Sequence, residues 1–131
     1  MPDYKKVILD VSNTTQEERI QAGFHLENQP DEESITILGK ALEQDPSPIV
    51  RHECAFSLGE TAAPKIAGPM LMKAVQEDKD VFVIHESLLA LGTLGCPEFI
   101  PFIKSYLTNP DPHISESAEI ALQRINQTGT R

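Results

Sequence analysis

Apolar positions along this chain return in clusters that are too long for strands and too evenly spaced for chance. The segments "ERIQAGFHL", "VRHECAFSL", "VIHESLLAL" and "ISESAEIAL" end at Leu26, Leu58, Leu91 and Leu122, at intervals of 32, 33 and 31 residues. Four residues before each leucine stands a small side chain: Ala22, Cys54, Ser87 and Ala118. That spacing puts both positions on one helical face, so the pattern predicts four equivalent helices, each with a narrow slot where a neighbour can approach closely. Second helical patterns cover 34–42, 66–75 and 99–107.

The punctuation between these patterns fits helix entry and exit. Pro30, Pro64 and Pro97 stand near first-turn positions, where a missing N–H costs nothing, and Asp111-Pro112 offers a cap followed by proline. "TTQEE" predicts a capping box of Thr14 with Glu17. "DPSP" and "NPDP" read as tight turns between repeats, and Gly59, Gly92 and Gly95 fall at predicted helix ends. Helix pairs repeating about every 32 residues indicate an all-α protein, an α-solenoid. Its expected units are repeats at about 14–46, 47–79 and 80–110 and a terminal helix at 111–127.

Composition narrows the function classes. At 131 residues and 40% apolar content the chain has core enough for one domain. A net charge of −9 argues against nucleic acid, because phosphate contacts need clustered Lys and Arg. An acidic surface serves solubility and also tolerates a cationic substrate. "MPDYKKVILD" has no apolar run long enough for a signal peptide or a membrane span, so a cytoplasmic protein without membrane contact is expected. Cys54 and Cys96 form neither a CxxC motif nor a disulfide framework. Both are expected as reduced thiols in or near the core, Cys54 because it fills a small slot.

One further slot carries chemistry. Two residues before the small position the four helices hold Ile20, His52, His85 and Glu116, and the next position holds Gln21, Glu53, Glu86 and Ser117. In helices stacked about 8–10 Å apart, matched side chains project from the same side, so His52 and His85 can reach a common metal. Adjacent helical residues diverge by about 100°, which leaves Glu53 and Glu86 free to serve a second target and suits a two-metal cluster. A single His-Glu pair would read as decoration of a solvated face. Two pairs in register, central and absent from the end repeats, favour ligation. Imidazole with carboxylate and no thiolate suits non-haem iron; manganese and zinc accept the same ligand types.

The segments "VRHECAFSLGE" and "VIHESLLALGTLGCPEFIPFIKSYLTNPDPHISESAEIALQRI", with the interval between their His-Glu pairs, resemble the deoxyhypusine hydroxylase family of HEAT-repeat di-iron monooxygenases. The resemblance runs from about Thr14 to Gln127. It implies two such halves facing each other across a di-iron centre. His52 and His85 would bind iron through one chain and Glu53 would reach the iron held by the opposing chain. Glu86, as a ligand or a catalytic group beside the metals, would hold the amine substrate. The implied cofactor is iron, two ions per dimer, with O2 as co-substrate. The implied reaction hydroxylates deoxyhypusine, a modified lysine side chain on a translation factor. Because this chain matches one half, a homodimer that builds the centre between identical chains is expected, with the end repeats giving flanking contacts. Two other classes share the repeats. A non-catalytic HEAT scaffold would bind a protein partner without metal, and bilin lyase subunits resemble the helices but lack the ladder of His-Glu pairs.

Overall fold

The computed structural model describes residues 2–29 and 31–129, and among them the chain is helical with no strand. The helices are α1 (Tyr4–Val7), α2 (Gln16–Glu27), α3 (Glu32–Gln44), α4 (Pro48–Glu60), α5 (Pro64–Glu77), α6 (Val81–Leu94), α7 (Ile100–Lys104) and α8 (Pro112–Gly129). A 3-10 turn, Pro97–Phe99, precedes α7. Helices α2, α4, α6 and α8 pack side by side in one layer, and α3 and α5 pair on its back. The architecture is an α-solenoid of HEAT-like helix pairs.

The core lies between the layers. Leu26, Leu58 and Leu91 are fully buried, as are Ala22, Ser87 and Ala118, with Cys54 nearly so; Leu122, in the last copy, is partly covered. The third pair departs from the expected 99–107 helix. Pro97 and Pro101 remove two backbone donors within five residues, so the segment starts as a 3-10 turn and ends as a short helix at Lys104. The Phe99 ring fills a notch over Gly68, where a Cβ would stand 2.5 Å from it.

Helix entry also differs by one residue. The capping box is Thr15 with Glu18, not Thr14 with Glu17: Glu18 N donates to Thr15 Oγ1 (3.1 Å) and Thr15 N donates to Glu18 Oε1 (2.9 Å). Thr14 is taken by another bond, its hydroxyl donating to the Asp10 carbonyl (2.6 Å). Pro64 and Pro97 open their elements, whereas Pro30 lies outside the described residues. Gly95 ends α6 in the left-handed region at φ 72°. Gly59 and Gly92 also stand at helix ends, within the last turns of α4 and α6. A Cβ on Gly59 would lie 2.9 Å from Ala90 Cβ, and one on Gly92 2.7 Å from Ala121 Cα. Their role is to let neighbouring helices of the first layer touch.

A buried ion pair and a partly buried one close the first two helix pairs from within. Arg19 Nε donates to Asp45 Oδ2 and Arg51 Nε to Asp78 Oδ2, both at 2.8 Å. The other oxygen of each aspartate accepts from the same guanidinium's Nη2 (3.4 and 3.3 Å) and from a backbone N–H of the following turn, Ser47 N or Asp80 N. Both aspartates sit at the exits of α3 and α5, so each arginine fixes where its helix pair ends. No helix among the described residues is long and apolar enough to cross a membrane.

Candidate metal centre

The histidine slot lies on the free face of the first layer. His52 on α4 stands between two carboxylates, with Nδ1 3.3 Å from Glu53 Oε1 and Nε2 3.3 Å from Glu86 Oε2. The second of these contacts crosses between repeats. The histidine slot of one helix meets the following slot of the next, and the same offset brings His85 Nδ1 to Ser117 Oγ. Further along the helices the contacts fall differently, with Glu27 against Ser57 (2.8 Å), Gly59 against Ala90 and Gly92 against Ala121, each two positions behind the equivalent slot. At the histidine slot, therefore, each side chain meets the following slot of the next repeat.

That offset separates two glutamates that look alike in sequence. Glu86 receives His52 from the preceding helix, and its side chain is 15% exposed. The slot that precedes Glu53 in the same ladder holds Ile20, which has no polar atom to offer, and the Glu53 side chain is 30% exposed. Glu86, and to a smaller degree Glu53, stabilise the imidazolium of His52 and raise its pKa above the ordinary 6.5 despite the opposing effect of burial. Burial pushes the Cys54 thiol up to about 12, and the charges of Asp45 and Glu53 act in the same direction. Cys54 therefore stays a packed thiol and adds no thiolate to the donor set.

A groove of about 510 Å³ opens at this point, lined by His52, Glu53 and Glu86, by Phe24, Phe56 and Leu89, and by Glu60 and Arg124 at its rim. Phe24, Phe56 and Leu89 each lie four residues after a histidine-slot position, which makes them a column beside the ladder. Sequence reading passed over this column, although its spacing was visible. Three residues before the two histidines, Ile49 and Phe82 are 55% and 58% exposed. The ladder thus runs between two apolar stripes. A second hollow, about 520 Å³, lies along α3 and α5. Four of its ionic groups are engaged with each other, Arg51 with Asp78 and Lys73 with Glu43, and neither histidine nor cysteine lines it.

Of the four residues singled out in the sequence, the structure brings His52, Glu53 and Glu86 together. His85 does not line their groove; it sits one step along the ladder, with Nε2 lacking a hydrogen-bond partner among the described residues. Also among the described residues, no three His, Cys, Asp or Glu side chains gather closely enough to hold a metal ion. The donor types nevertheless fit non-haem iron: two imidazoles and two carboxylates on one face, with the only nearby thiol locked in its protonated form.

Comparison with known proteins bears on this face. Residues 7–91 match the family model for HEAT repeats. Deoxyhypusine hydroxylase of Dictyostelium discoideum is 38% identical over 114 residues, which are 87% of this chain and 35% of that protein. The solved structure of human deoxyhypusine hydroxylase in complex with glycerol aligns with a TM-score of 0.90 at 26% identity, over 97% of this chain and 43% of that one. This chain spans less than half the length of either relative. Repeats, ladder and alignment agree: the chain belongs to the HEAT-repeat family and is a homologue of deoxyhypusine hydroxylase, matching roughly one half of it.

Proposed function

We propose that the chain is one half of a non-haem di-iron oxygenase, that two copies share the metals, and that it uses O2 to hydroxylate an amine-bearing side chain of the kind deoxyhypusine hydroxylases are named for. The observation that carries this reading is the ladder of two His-Glu pairs in register on one partly covered face, on a chain aligned with a deoxyhypusine hydroxylase over 87% of its length. His52 and His85 would hold iron, and Glu53, the less engaged carboxylate, would reach the metal held by the opposing copy. Bound iron supplies the electrons and open coordination positions that O2 chemistry requires.

The chain's own residues supply the rest. Glu86, held by His52, lines the groove, and its carboxylate suits an ammonium group. Phe24 and Phe56 offer apolar walls for the methylenes of such a substrate and exclude water beside the carboxylates. The stripes flanking the ladder, Ile49 and Phe82 on one side and Phe24, Phe56 and Ile120 on the other, suit a second copy better than solvent. Deoxyhypusine itself is the substrate to test first.

Metal analysis after anaerobic loading with Fe(II) tests the reading. One iron per chain is expected, and His52→Ala or His85→Ala should abolish uptake while far-UV circular dichroism stays helical. Glu53→Ala should weaken metal binding; Glu86→Ala should chiefly lower turnover. Full metal retention in both histidine variants would contradict the assignment.

A further inference from the structure

Ser117 occupies the place in the last repeat where the two central repeats carry Glu53 and Glu86, and no motif drew attention to it. Its side chain is fully buried and makes two contacts. Its hydroxyl donates to the backbone carbonyl of His113, one turn earlier in α8, and its Oγ lies against His85 Nδ1.

A hydroxyl has one proton, and a carbonyl has none to give. With that proton committed to the His113 carbonyl, Ser117 Oγ faces the imidazole as an acceptor, so His85 Nδ1 must carry the ring hydrogen. The opposite arrangement, with the hydroxyl turned to an unprotonated Nδ1, would leave Oγ and the His113 carbonyl oxygen in contact with no hydrogen between them. Neutral imidazole protonated on Nδ1 keeps its lone pair on Nε2, the nitrogen without a partner among the described residues.

We infer that Ser117 is a positioning residue which, by accepting from His85 Nδ1, fixes the tautomer and ring orientation that present Nε2 as a ready donor to a metal ion. The inference rests on the reading of His85 as a metal ligand. It also explains the serine. A glutamate here, as in the central repeats, would bring a charge into a fully buried site, whereas a hydroxyl orients the ring without one. His52 has no such arrangement, since both its nitrogens face carboxylates.

The test uses the whole chain and two readouts. In the metal-free protein at about pH 8, where histidines are mostly neutral, long-range ¹⁵N–¹H correlation spectra report which ring nitrogen of His85 is protonated. Competition of Fe(II) against a chelator under anaerobic conditions reports affinity. Wild type should show Nδ1–H. Ser117→Ala should shift His85 toward Nε2–H and lower Fe(II) affinity about 10–100-fold, the usual effect of removing such a partner. Ser117→Thr, whose hydroxyl can make the same bond to the preceding turn, should restore both. Nε2–H in wild type, or a Ser117→Ala protein with unchanged tautomer or unchanged affinity, would overturn the inference. A wild type that shows Nδ1–H but takes up no Fe(II) would overturn the metal reading on which it rests and leave only the tautomer control standing.

Discussion

Two histidines in equivalent slots of successive helices meet different neighbours, because each faces the following slot of the next helix, which holds Glu86 in one case and Ser117 in the other. His52 meets Glu53 in its own repeat and Glu86 in the next, while His85 meets the Ser117 hydroxyl. In the metal-free protein His52 should therefore titrate above 6.5, with Glu86 the main cause. Its protonated form, favoured by folding, contributes stability that is complete below the unfolded value and is lost as pH rises through the raised folded value. An NMR titration should show this, and Glu86→Gln should lower the His52 midpoint more than Glu53→Gln does. Equal effects of the two substitutions would show that the contact across repeats is weaker than the geometry indicates. The identity of the four polar residues was legible from register alone. Which carboxylate holds which histidine was not, because a period near 32 residues fixes equivalence between helices but not which neighbouring slot each side chain meets across the stack.

At the scale of elements, helix-to-helix distance is set by missing side chains and helix exits by buried ion pairs. Gly92→Ala would drive a Cβ to 2.7 Å from Ala121 Cα, where backbone has little room to give, and should destabilise the fold by about 1–3 kcal/mol in chemical denaturation. Gly23→Ala makes only ordinary contacts, at 3.7 Å from Ile8 Cδ1 and 3.9 Å from Leu38 Cδ2, and should stabilise α2 by about 0.5–1 kcal/mol through helix propensity. The opposite signs separate packing glycines from incidental ones. Arg19→Ala leaves Asp45 charged and buried, and a loss of about 3–5 kcal/mol is expected. The leucine register and small slots announced the first layer in the sequence. Gly59 and Gly92 were legible as helix-end glycines but not as packing ones, because glycine marks both termination and close approach and only the neighbouring helix tells them apart. The Arg19–Asp45 and Arg51–Asp78 pairs recur 26 and 27 residues apart, a signal hidden by charge types that usually lie on the surface.

At the scale of the molecule, the ladder, the groove and two exposed apolar stripes lie on one face, on a chain matching less than half of each of the relatives it aligns with. The described residues of one copy gather no three metal donors, and a two-fold axis would duplicate His52, Glu53, His85 and Glu86 across an interface that uses the same surface twice. Such a site couples assembly to metal, because ligands contributed by both copies bind only the assembled state and stabilise it by mass action. Burial of Ile49 and Phe82 on association would add to that coupling, so Phe82→Glu should weaken the dimer without disturbing the buried core of each copy. The most direct measurement is sedimentation velocity of the chain at micromolar concentration, anaerobically, with and without stoichiometric Fe(II). A shared centre requires the metal-loaded protein to sediment as a dimer carrying two irons and its dissociation to be promoted by removing them; a monomer that keeps its iron would contradict it.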